Sequence, residues 1–281
     1  MNEIVVTRRA RSAAPALGAW DASAAARSAL RTAALAWFVP TFIGQWAFAY
    51  HIAATYIATA FAGKAALWNK HLFVGFVPGD LVGNLALVAH LFIAFAITIG
   101  GTLQLIPQIR THAPAFHRWN GRLYIVMAFV TSVAAIYMIW TRKTFGGILL
   151  NDIGVSLNGV LIMICAAFTI RHAIARNLEV HRRWALRTFI VVSGVWFLRV
   201  TYSFLAAVPG DTPGVTDDMT GPTNVVINFA SYLVPLAVLE IYLRAKRSPS
   251  ASAKFAAAAL VLVAAVATGI GVYGRVIAWV K

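Results

Sequence analysis

The residues of this chain whose types and settings could do chemistry are ionisable groups inside long apolar runs: His51, His90 and Arg199. An ionisable side chain in hydrocarbon is costly enough that each stands as a candidate functional group. At ~1.5 Å of rise per helical residue, His51 and His90 each stand about 18 residues above the inner end of their runs, and Arg199 about 16, or ~24–27 Å up. All three therefore share one height in the outer half of a bilayer. At the opposite end His112, His117, His172 and His181 fall in or beside two arginine-rich connections. Neutral imidazoles on facing helices are the usual protein ligands of b-type haem iron, and helix-bundle cores are where such sites are built. His51 with His90 outside, and His117 with His181 inside, would supply two bis-imidazole pairs. Arg199 would then meet the outer propionates, and Arg118 or Arg187 the inner ones. This reading expects haem b, electron transfer across or within the bilayer, and quinone or another membrane redox protein as partner.

Each of these residues also has a plainer reading. An interfacial histidine beside arginine commonly contacts lipid headgroups, which suits His112 and His172 and competes evenly for His117 and His181. Arg199 can snorkel toward the outer surface. His51 falls at the outer interface if the first span begins later, and His71 lies in an outer loop. Gln104 and Gln108 bracket Pro107, while Asn84, Asn158, Asn224 and Asn228 suit hydrogen bonds between helices. Glu240 precedes Arg244 by one turn, a spacing at which the two can neutralise each other. Gly269, Gly271 and Gly274 suit close helix packing. Two other classes of function stay open. One is a transporter or binder of an anionic lipid or small molecule, gripped by the inner Arg/His cluster. The other is a non-catalytic assembly subunit of a membrane complex. The chain carries no phosphate loop, zinc motif, Gly-x-Ser-x-Gly or paired carboxylates. The single Cys165 lies in an apolar stretch and offers no disulfide framework.

The elements that must position these groups follow from composition. Of the 281 residues 60% are hydrophobic and only 12% charged, with a mean hydropathy of +0.75. So little charge cannot cover a soluble domain, so the apolar surplus faces lipid. The apolar runs are too continuous for barrel strands, which leaves an all-α integral membrane fold. Seven segments, roughly 33–60, 81–107, 120–141, 148–170, 185–208, 224–243 and 255–280, predict a seven-transmembrane-helix bundle. Pro40 in the first predicts a kink or tilt. Residues 1–31 read as a flexible basic tail without the apolar core of a secretory signal, and 32–281 as one domain.

The net charge of +15 is set by distribution rather than by a nucleic-acid patch, and no nucleic-acid partner is expected. Arginine-rich connections, such as Arg110–Arg122 and Arg171–Arg187, alternate without a break with cation-poor ones. That places the amino terminus in the cytoplasm and the carboxyl terminus outside. The expected location is the bacterial inner membrane.

Across residues 80–205 the chain resembles a bacterial polytopic membrane-protein family of unknown function. The likeness rests on His90, Gln104, Arg110 and the element His117-Arg118-Trp119-Asn120-Gly121-Arg122, then His181, Trp184, Arg187 and Arg199. It implies no settled activity. It marks His90, His117, His181, Arg118, Arg187 and Arg199 as site candidates and does not single out His51, so one inner haem or none is equally compatible with it.

Overall fold

The apolar runs fold as helices, because in lipid each backbone N–H and C=O must be satisfied within its own segment. The structure is a computed structural model that describes residues 17–280 except 73, 144 and 211. Ten α-helices are present among the described residues: α1 Leu17–Ile52, α2 Ala58–Phe61, α3 Leu81–Leu105, α4 Pro107–His112, α5 Pro114–Arg142, α6 Leu149–Ile174, α7 Leu178–Val192, α8 Gly194–Ala207, α9 Pro222–Arg247 and α10 Ala251–Val280. No strand occurs among them. The chain is a multi-pass membrane protein. Five helices (α3, α5, α6, α9 and α10) are long and apolar enough to cross a bilayer, and the bent pair α7–α8 makes a sixth. Helix α1 is not among them.

Breaks in the helices have local causes. Asp80 caps α3, its Oδ1 accepting from Gly83 N at 2.8 Å. Ile106, held extended before Pro107, ends α3. Pro114 opens α5 at a position where the missing N–H costs nothing. The run 185–208 reads as one span, but α7 and α8 meet at Ser193 with a bend of 54°. Ser193 hydrogen-bonds Phe189 O at 2.8 Å and accepts from Gln45 Nε2 at 2.8 Å, both buried. A hydroxyl drawn into the ladder beside a glycine is a recognised cause of such a kink.

The first helix runs from Leu17 through a π-helical turn at Ala53–Ile57 into α2, with Pro40 inside it. At ~1.5 Å per residue it spans roughly 65 Å, about twice the hydrocarbon thickness. Residues 17–31 of the basic tail are thus helical, and Leu30 and Ala33 pack with Ala245, Ala257 and Val261. Residues 1–16 of the tail lie outside the described residues. Helix α1 packs mainly along α10, which also lies against α8; α5 sits between α3 and α6. Gly271 makes the α8–α10 approach possible, since a Cβ there would lie 2.4 Å from Val200 O.

Candidate functional site

The polar group at the bundle end that the loop charges assign outside, here the outer group, is assembled by five elements. Helix α1 brings His51, the π turn Tyr56, α3 His90 and α8 Arg199, with Arg275 added from α10. The π turn places Tyr56 in the core, 5% exposed. Trp68 folds back from the following loop and donates Nε1–H to Thr59 Oγ1 at 2.8 Å, which carries His71 to His51. The His51 ring stacks on Trp279 at 4.5 Å and meets Tyr56 and His71 edge-on at 5.9 and 6.4 Å. Across the bundle His90 Nδ1 lies 3.1 Å from Thr131 Oγ1.

Arg199 enters this end of the bundle from α8, against Phe48 of α1. The guanidinium does not snorkel outward. It lies 5.1 Å over the Phe48 ring, and Nη1 donates back to Val195 O on the preceding turn of α8 at 3.3 Å. Arg275 donates Nη2–H to the backbone oxygen of Arg199 at 3.1 Å, while its Nε is buried without a partner. Among the described residues neither arginine pairs with a carboxylate. The ion-paired acids Asp80, Asp152, Glu179 and Glu240 serve Arg142, Lys143, Arg183 and Arg187. In the outer loop, hydrogen bonds from Thr216 and Thr220 hold the Asp218 carboxyl below the usual carboxylate range, so it stays ionised at neutral pH.

The inner group is organised around the α3–α5 crossing. Gln104 Nε2 donates to His117 O at 3.0 Å, and Asn120 Nδ2 donates to Gly100 O at 2.9 Å. Gly121 faces the Gln104 amide and Gly100 faces Asn120, so most of the His-Arg-Trp-Asn-Gly-Arg element serves helix packing. His181 Nδ1 lies 3.0 Å from Thr169 O. A carbonyl only accepts, so this nitrogen carries the proton and Nε2 is left free. His117 Nδ1 is buried without a partner. Arg118 and Trp119 point outward, as does Arg122, which stacks on Trp119 at 5.1 Å. Arg187 is committed elsewhere: its Nε and Nη2 reach Glu240 Oε1 and Oε2 at 2.6 and 3.0 Å. Glu240 therefore pairs across helices rather than with Arg244, the partner its sequence spacing suggests.

A haem ligated by His51 would have to displace the aromatic rings already packed on that imidazole. A bis-imidazole haem needs its two rings on opposite faces of one flat macrocycle. His51 instead has Trp279, Tyr56 and His71 as ring neighbours among the described residues. For a His51–His71 pair, Tyr56 lies 5.9 and 6.4 Å from the two rings and stands where the disc would go. The inner pair offers suitable nitrogen donors, His181 Nε2 foremost.

The family described as "predicted membrane protein (DUF2306)" matches residues 87–243, more than half of the chain. The chain belongs to this family. The segment matched to DUF2306 carries His90, His117, His181, Arg187 and Arg199, whereas His51, Tyr56 and Arg275 come from flanking helices. No curated protein and no solved structure matches the chain. Tyr56 and Arg275 are the residues of the outer group that reading the sequence missed, and for Arg275 the sequence held a clue. Arg275 is the one charged residue between Phe255 and Val280.

Proposed function

We propose that this chain binds a small anion in the outer half of its bundle, as a carrier or receptor in a bacterial inner membrane. One observation carries the reading. Arg199 folds back along α8 beside Arg275, and no carboxylate among the described residues neutralises either. A guanidinium so placed calls for a negative partner, and its fork geometry favours oxyanions. The break at Ser193 supports transport, because Arg199 rides on the outer half of a discontinuous helix, where transporters commonly build sites. The first helix counts as a seventh span in this reading, with the amino terminus inside. The alternation of arginine-rich and arginine-poor connections supports that orientation, and it opens the site to the outer face.

Calorimetric titration of the purified full chain with chloride, nitrate, sulfate and malonate tests the proposal. At least one is expected to bind. Arg199→Gln is expected to weaken that binding about 10- to 100-fold, the 1.5–3 kcal/mol of a hydrogen bond to a charged group. Failure of all four anions to bind, or unchanged binding in the variant, ends the reading.

A second reading has one contact in its favour: haem b held on the inner side by His117 and His181, exchanging electrons with quinone or another membrane redox protein. His181 gives its Nδ1–H to a carbonyl, the arrangement that orients a metal-binding imidazole and leaves Nε2 to ligate. The haem would supply one-electron chemistry. Protein from haem-supplemented cells should then show a sharp reduced α-band that disappears in His117→Ala and His181→Ala. Colourless protein, or a spectrum indifferent to both changes, sinks it.

A further inference from the structure

We infer that Arg275 makes the outer site selective for divalent over monovalent anions, a conclusion that rests on the anion-binding reading above. Arg199 and Arg275 line one crevice with Gly44, Trp196, Val272 and Trp279. The gaps between these side chains are too narrow to hold a water molecule as they stand. An anion therefore seats by drawing two long, flexible guanidiniums around itself. Both come from backbones pinned close together, by Gly271 against Val200 and by the bond from Arg275 Nη2 to the Arg199 carbonyl. Two guanidiniums, with no carboxylate paired to either among the described residues, present two unit charges to one ligand. A monovalent anion leaves one of them uncompensated, and a dianion leaves none. The buried Nε of Arg275, lacking a hydrogen-bond partner, is the donor such a ligand would satisfy.

The argument yields a quantitative signature. Coulomb energy is linear in ligand charge, so deleting one fixed cation costs a dianion twice the free energy it costs a monoanion. A loss of about 5-fold for nitrate thus corresponds to about 25-fold for sulfate. The hydration cost of each anion is the same for wild type and variant and drops out of the comparison. A role confined to packing, through the bond to the Arg199 carbonyl or the contact with Trp279, would weaken both anions by the same factor.

The experiment titrates the full chain and Arg275→Gln with sulfate and with nitrate at one ionic strength. Arg275→Met, which keeps the aliphatic stem against Trp279, replaces the glutamine variant if that one does not fold. The expected result is a sulfate loss near the square of the nitrate loss. Equal losses, or no loss for sulfate, overturn the role of Arg275 while the anion-binding reading stands. A wild type that binds neither sulfate nor nitrate overturns the role of Arg275, and one that binds none of the four anions overturns both.

Discussion

Removing Glu240 is expected to destabilise the protein by about 3–5 kcal/mol, one of the two largest effects among the variants considered. Its carboxylate takes both arms of Arg187 at 2.6 and 3.0 Å, with the two side chains 19% and 30% exposed. Arg187 also lies 4.7 Å over the Trp184 ring, which stacks on Phe168 at 4.5 Å. One carboxylate therefore ties α9 to α7, and through Trp184 to α6. Glu240→Ala would leave a guanidinium without a counter-charge between helices, and that uncompensated charge is the main cost. Replacing both partners with apolar residues of similar volume, Arg187→Met with Glu240→Leu, should recover most of the loss. Thermal unfolding in detergent of the two single variants and the double variant forms a cycle that isolates the pair. Single variants as stable as wild type would mean that the pair is solvated and slack. The same pair bears on haem: with Nε and Nη2 held by Glu240, Arg187 could meet an inner propionate only through Nη1.

Hydropathy alone made much of the architecture legible. Six of the seven expected spans correspond to helices long and apolar enough to cross a bilayer, counting α7–α8 as one. The bend at Ser193 was not legible, because the run is apolar on both sides of Ser193 and the Gln45 that bonds its hydroxyl lies 148 residues away in sequence. The inward length of α1 was hidden for a similar reason. Its early turns carry Arg27 and Arg31, which read as a solvated tail, yet Ala26, Leu30 and Ala33 are buried. Which neighbours His51, His90 and Arg199 would have was not legible, because lateral proximity is a property of packing. The inner motif was read for its charges, while its structural content lies in Asn120, Gly121 and Gln104, the residues that let α3 and α5 approach. Local spacing also misassigned Glu240, because an i,i+4 neighbour lost to a bidentate partner 53 residues away.

Arg142→Ala is expected to cost about 2–4 kcal/mol, discounted from the buried-pair range because Asp80 is 36% exposed. Read from sequence, Arg142 is one of two cations in a short outer connection. In the fold its side chain is only 5% exposed and gathers the outer end of α3 and the loop before it. Nη1 donates to Gly83 O at 3.1 Å, and Nη2 donates to Gly75 O at 2.9 Å and to Asn84 Oδ1 at 3.1 Å. Nε stands 3.2 Å from Asp80 Oδ2 but is not aligned as a hydrogen bond, so that contact is ionic. Alanine would strand these acceptors and loosen Asp80, whose other oxygen caps α3. Lysine keeps the charge but cannot fork to several acceptors, so Arg142→Lys should restore less than half of the loss. The consequence reaches the outer site, since the same loop holds Trp68 and His71 against His51 and Tyr56. Limited proteolysis between residues 62 and 80 should therefore accelerate in Arg142→Ala together with the drop in unfolding temperature. A fall in stability with no change in cleavage would place the role of Arg142 in α3 alone and separate the loop from the site it covers.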